Sequence, residues 1–380
     1  MRGKKIVALI LCFLCSVYSS KLVYASSQEE WLQEYDFSQL ETELRKQDQQ
    51  EVKFGVIVEK IAKGEIIESV MLVGKGMLSQ VLSELISHKK IVIQIICVVV
   101  FSAIFTNFSE AFSSKQVGET GFFVTYLILF SMLATSYGLA VQITEQAVNR
   151  LLEFMKLLIP TFCMAITTTS GVTSSAGIYG ILMLAVMSAN YLVLTLLLPF
   201  TNLYFALQMM DYIGKERRFS KLSSLIKKGI EWGLRTIFVG IVGVQVLQGL
   251  ILPAIDSVKG SLIQKGVSVI PGAGQAVSAI LNTMLGAGVI IKNSIGVAGL
   301  LCILLFIGVP VLKLVLFSVS YQLLSAVLQP ISDKRVNDCI QSTGEATGLL
   351  LRIVFVIAAL FMVSLALSAA ATNTLYYSQT

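Results

Sequence analysis

Few residues in this chain combine the type and the spacing that chemistry needs. The densest polar cluster, Thr167 to Ser175, holds hydroxyls with no His, Asp or Glu among them to activate a nucleophile. It suits helix packing and backbone satisfaction better than catalysis. Gly272-Ala273-Gly274 lacks the third glycine of a dinucleotide loop, no strand precedes it, and no phosphate-binding loop occurs elsewhere. The single histidine, His88, stands beside Lys89-Lys90 without a partner set. Of six cysteines only Cys12 and Cys15 have CxxC spacing, and both lie in an N-terminal apolar run, so neither a zinc site nor a disulfide framework is indicated. One intramembrane cation stands out, Lys313, three residues after Pro310. An ionisable group inside a membrane is costly and faces protein or a polar cavity. The other reading is that Lys313 snorkels or packs on carbonyls freed by the proline. The expectation is a protein that is not an enzyme and needs no cofactor or metal.

The elements that must position these residues are membrane helices. The chain has 380 residues, of which 55% are hydrophobic and 14% charged, whereas soluble domains carry about 25% charged residues. Leu157 to Met210 is an uncharged run of 54 residues, and no charge follows Arg352. A membrane helix needs only ~20 apolar residues. The fold class is therefore an all-α polytopic membrane protein. The net charge of +6 reports orientation before it reports a nucleic-acid partner, and no nucleic-acid module is visible.

Two stretches share a layout. Ile159-Pro160 opens an uncharged run interrupted by small residues at Ser170-Gly171 and Ala176-Gly177, ahead of an apolar segment containing Pro199 and Asn202. Ile270-Pro271 opens a second run, with Gly272 and Gly274, interrupted at Gly286-Ala287-Gly288, ahead of a segment containing Pro310 and Lys313. The proline spacing is 39 in both, at an offset of 111. This reads as a tandem duplication of about residues 145–253 and 256–370, with chance alignment of apolar sequence as the alternative. Glycine and proline at this density favour re-entrant or interfacial hairpins, placed at 157–177 and 268–291, packed against proline-kinked helices. These residues are the candidates for hairpin packing or a polar pathway.

In chain order, 1–25 has the charged start, apolar core and Val23-Tyr24-Ala25 exit of a signal peptide, with an uncleaved anchor as the alternative. Residues 26–90 form a small extracytoplasmic helical region too short to carry its own core. A two-span unit covers 91–143, membrane repeat 1 covers 144–253, and repeat 2 covers 254–380 with an extracytoplasmic C-terminus. Lys215, Arg217, Arg218, Lys221, Lys227 and Lys228 crowd one loop against a single Glu216, which makes that loop cytoplasmic. Phe219, Leu222, Leu225, Ile226 and Ile230 can share one helical face there, suiting a helix on an anionic leaflet; a solvated loop is the alternative. To place this loop inside, 151–176 must be a hairpin and 177–210 one crossing. The total is about six crossing regions and two hairpins.

The most distinctive sequence runs from Lys265 to Gly296 and contains VIPGAGQAVSAILNTMLGAGVIIKNSIG. With the signal-like start and the 26–90 segment, it resembles the stage III sporulation protein AE family of endospore-forming bacteria. The resemblance implies a multi-pass protein of the mother-cell membrane around the forespore. It also implies a component of the channel complex that links the two cells and supports forespore development and late forespore gene expression. Its implied partners are the other proteins of the same operon and a forespore-side channel protein, beside membrane lipid; self-association stays open. Two other readings stand beside it: an autonomous secondary transporter on duplicated broken helices, and a non-conducting membrane scaffold.

Overall fold

The computed structural model describes residues 35–45, 53–65, 115–213, 217–268, 274–330 and 332–379, with isolated positions between 93 and 100. All regular structure among them is helical. Two short helices, α1 (Ser38–Arg45) and α2 (Phe54–Ala62), precede α3 (Lys115–Ser170) and α4 (Val172–Asn190). A π-helical turn, Tyr191–Leu197, joins α4 to α5 (Leu198–Ile213). Then come α6 (Ser220–Ser268), α7 (Gly274–Leu328) and α8 (Lys334–Gln379).

Among the described residues, five segments are long and apolar enough to cross a membrane: Phe123–Ser170, Val172–Ile213, Ser220–Gly249, Leu285–Leu328 and Lys334–Thr372. This is a multi-pass membrane protein. The helices exceed what a bilayer requires: at about 1.5 Å per residue, the 56 residues of α3 reach about 84 Å against a hydrocarbon core of about 30 Å. The sequence of α3 shows where it leaves the apolar layer. Glu145, Arg150, Glu153 and Lys156 are all exposed, while Val148, Leu151, Leu152, Met155 and Ile159 are buried at helical spacing. That half of α3 is amphipathic, with one face on protein and the other on water. There α2 packs on it, with Phe54 edge-on to Phe154 at 6.4 Å and Phe154 against Phe306 of α7 at 4.9 Å.

The hub is α8, which packs on α3, α5, α6 and α7. Leu349, Leu350, Ile353, Val354, Ile357 and Phe361 are all sealed inside. By contrast, α6 turns Trp232, Val239 and Leu247 outward, each at least 62% exposed, which is the face expected of lipid contact.

The helix breaks differ from the sequence expectation. Only Gly171 separates α3 from α4; its φ of 91° lies where an L side chain is strained, so the chain turns there. Residues 157–170 continue α3 through Pro160 and do not form the first arm of a separate hairpin, and Gly177 lies inside α4. Gly286-Ala287-Gly288 likewise lies inside the 55-residue α7, as does Pro310. A single proline removes one hydrogen bond, and a helix packed on neighbours survives that loss. Pro199 acts differently. It follows the π turn, in which the Leu198 amide bonds to the Val193 carbonyl, widening the helix just ahead of the ring. The basic stretch is not a separate surface helix either, because α6 begins at Ser220 and runs on unbroken. The expected signal peptide (1–25), most of the first crossing (91–107), and Lys215, Pro271 and Gly272 lie outside the described residues.

Candidate functional site

Three helices meet without room for side chains on one of them. A Cβ at Gly288 of α7 would stand 2.7 Å from Thr169 Cγ2 of α3, one at Gly296 would stand 3.3 Å from Phe162, and one at Gly299 would stand 2.6 Å from Leu158 Cδ2. As the number rises on α7 it falls on α3, so the two helices run antiparallel. On the other side, Leu365 of α8 approaches Gly299 and Ala369 approaches Gly296, which makes α8 antiparallel to α7 as well. Small residues let helix backbones approach closely in a membrane, where dispersion replaces the hydrophobic effect between helices.

Lys292 lies on the same α7 stripe, one turn from both Gly288 and Gly296. It is fully buried, and its Nζ donates to Thr372 Oγ1 of α8 at 2.8 Å. The Thr372 hydroxyl in turn donates to the Ser368 carbonyl at 2.8 Å. From α3, Ser170 Oγ donates to the Thr372 carbonyl at 3.2 Å. One residue of α8 thus ties together the last residue of α3 and the buried lysine. The C-terminal end of α3 carries the negative end of its dipole, the sign that favours a cation near it. An amine in such a place is tolerable only with hydrogen-bond partners.

At the far end of the bundle, α6 and the turn ahead of it run alongside α8 in parallel and are joined to it by ion pairs. Arg217 pairs with Asp338, Lys227 with Glu345 at 2.7 Å, and Arg352 with Glu231. Tyr204 donates to the same Glu345 carboxylate at 3.3 Å, and Tyr212 bonds Ser342 at 2.6 Å with the Arg217 guanidinium over its ring. The turn into α6 is set by buried Asp211, which accepts the Phe219 amide at 2.6 Å. Between the two ends, further polar contacts join the helices. Gln245 donates to Ser364 at 2.8 Å, Ser318 donates to the Gly344 carbonyl at 3.0 Å, and Ser136 bonds Tyr321.

The predicted residues divide accordingly. Gly288, Pro160 and Gly171 belong to the three-helix junction or the helix that builds it. Gly286 is half-buried beside it, and Gly274 is the first residue of α7. Asn202, one turn into α5, accepts from Tyr137 at 3.1 Å. Lys313 is half-buried. Of the basic set, Arg217 and Lys227 are drawn into pairs with α8, while Arg218, Lys221 and Lys228 are exposed. Sequence reasoning missed Lys292 and its acceptor. The available signal was that Lys292 is the lone charge between Lys265 and Lys313. Among the described residues no cluster of three or more His, Cys, Asp or Glu is placed to hold a metal ion.

The sequence pattern of the family described as stage III sporulation protein AE matches residues 52–372. A stage III sporulation protein AE from Bacillus subtilis (strain 168) is 21% identical over 299 residues, covering 77% of this chain and 72% of that protein. No solved structure matches.

Proposed function

The chain belongs to the stage III sporulation protein AE family, and on that premise we propose that it is a membrane component of the channel complex linking mother cell and forespore. In this reading it sits in the mother-cell membrane around the forespore. It assembles there with the other proteins of its operon and a forespore-side partner, and supports forespore development and late forespore gene expression. The family match over most of the chain carries the proposal.

The physical features fit an assembly part better than a self-contained transporter. Along α8, Leu349, Leu350, Ile353, Val354, Ile357 and Phe361 form a sealed apolar face, while Arg352 and Phe355 stand exposed on the other face. The junction at Lys292 and the ion-paired site at Glu345 are two distinct polar sites of the bundle. Both suit the fixing of a rigid membrane unit on which other subunits are mounted. The duplication proposed for 145–253 and 256–370 would make two related halves of that unit.

The test is deletion of the gene from its endospore-forming host, with complementation by the full chain, alongside reconstitution of the purified protein in liposomes. Loss of spores after engulfment begins, restored by the full chain, and no solute flux from the protein alone would support the reading. Normal spore yield in the deletion strain would remove it.

A further inference from the structure

The cations of α6 are sorted by face. On the inner face Ser223, Ile230 and Leu234 are buried in the bundle, and Lys227 pairs with Glu345 of α8. On the opposite face Lys221, Leu225, Lys228, Trp232, Arg235 and Val239 recur every three or four residues, and all six are exposed. Cation and apolar side chain alternate along that stripe. Among the described residues Lys221, Lys228 and Arg235 form no ion pair or side-chain hydrogen bond. Glu231, the one acid of α6 before Gly249, is taken by Arg352 of α8.

The apolar members of the stripe continue where the charges stop. After Arg235 no charge occurs as far as Gly249, and the outward face runs on through Val239 and Leu247 as the surface turned to lipid. The charges of α8 end at the same height, with Arg352 paired to Glu231. The stripe therefore crosses the edge of the apolar layer, with the exposed indole of Trp232 between Lys228 and Arg235. Tryptophan is enriched at that depth, and long cationic side chains extend from there toward the headgroups.

A shallow cleft of about 320 Å³ opens on this face, lined by Ser220, Lys221, Ser224, Leu225 and Lys228. Lys221 and Lys228 stand seven residues, about 10.5 Å, apart along the helix, with Ser224 between them. Two ammonium groups and a hydroxyl suit a phosphodiester: the cations meet its charge and the hydroxyl donates to an oxygen. Leu225 and Trp232 supply apolar surface for what that phosphate carries. A free anion has no use for this surface, and a soluble acidic protein must enter the apolar layer to cover Trp232 and Val239.

We propose that this face of α6 binds one anionic glycerophospholipid, with its phosphate in the cleft between Lys221 and Lys228 and its acyl chains along Trp232 and Val239. The site goes beyond the assembly role and needs only this chain and a bilayer.

The chain has two tryptophans, Trp31 and Trp232, so the full chain carrying Trp31→Phe reports on Trp232 alone. It is reconstituted in vesicles of phosphatidylcholine and phosphatidylglycerol, with brominated acyl chains on one lipid at a time. Bromine quenches an indole that it touches. Phosphatidylglycerol should displace phosphatidylcholine from Trp232 at low mole fraction. Lys221→Gln with Lys228→Gln should lower that preference about 25-fold, each cation near an anionic headgroup being worth about fivefold. Lys221→Arg with Lys228→Arg should retain it. Lys60→Gln with Lys63→Gln, the same loss of charge on α2, should leave it unchanged. Thermal midpoints of the α6 variants should not move, because both lysines are exposed. Equal affinity of Trp232 for the two lipids, an equal loss in the α2 variant, or an indole that no brominated lipid quenches because protein covers it would overturn the proposal. So would full displacement of phosphatidylglycerol by excess inorganic phosphate, which would make the cleft a site for free anions. Every arm uses this chain alone, so failure here leaves the assembly reading untouched.

Discussion

Lys292 and Thr372 meet at 2.8 Å between α7 and α8, and neither side chain is more than 1% exposed. The two partners are not equivalent. Removing the lysine removes a buried charge and leaves a threonine that already bonds the Ser368 carbonyl. Removing the hydroxyl leaves the charge in place with one acceptor fewer. Thr372→Val should therefore destabilise by about 1.5–3 kcal/mol, the range for hydrogen bonds to charged groups. Lys292→Met should be close to neutral, as replacement of a buried ion by an apolar side chain often is. Thermal unfolding of the purified protein in detergent measures both. A larger loss for Lys292→Met than for Thr372→Val would show that the ammonium itself stabilises the junction.

Gly288 gives a test of close packing with its own rescue. Its Cβ would overlap Thr169 Cγ2 at 2.7 Å, and the Thr168 hydroxyl stands at 3.2 Å. Gly288→Ala should cost about 1–3 kcal/mol as overpacking, and Gly288→Leu should abolish assembly or spore formation while membrane insertion persists. Thr169→Ser removes the offending methyl, so Gly288→Ala with Thr169→Ser should recover most of the loss. Gly138→Ala and Gly180→Ala meet nothing within 4 Å and serve as controls. Spore yield and unfolding temperature read these outcomes, and no rescue in the double variant would place the clash elsewhere.

The ion pairs between α6 and α8 should act as register marks more than as stability. Lys227 and Glu345 are each about a third exposed, which limits the pair to about 0.2–1 kcal/mol. Lys227→Glu brings two carboxylates together and should lower complex assembly; Lys227→Glu with Glu345→Lys should restore it. Failure of the reversal while both single variants are impaired would mean that Glu345 serves through Tyr204.

How much of this was legible beforehand follows from what apolar sequence can encode. Long uncharged runs fix the class, because nothing but a bilayer or a sealed core accepts them. Six cations between Lys215 and Lys228 fix where a polar turn lies. The role of a small residue is different. Gly171 ends a helix and Gly288 does not, although both stand in similar company. The distinction lies in a positive φ at one and in Thr169 pressing on the other, and Thr169 is 119 positions away in sequence. Lys292 was hidden for the same reason: its acceptor lies 80 residues further on. The pairs of Arg217 and Lys227 were equally out of reach, with partners 121 and 118 residues distant.

Orientation can be read by labelling. If the basic turn is cytoplasmic, the charged face of α3 at Glu153 lies outside. Glu153→Cys should react with an impermeant thiol reagent in intact cells, and Ser220→Cys should not until the membrane is opened. Cys163, Cys302 and Cys339 are buried, so the background from these positions is low. The reverse pattern would invert the chain in the membrane.

The most direct measurement is purification of the tagged full chain from the membranes of sporulating cells during engulfment, followed by quantitative mass spectrometry of what elutes with it. A component of the intercellular channel complex should bring down the other proteins of its operon in a constant ratio, and the Gly288→Leu chain should bring down fewer of them at equal membrane level. Elution of the wild-type chain alone, together with solute flux when that lone protein is placed in liposomes, would contradict the account and make it a transporter in its own right.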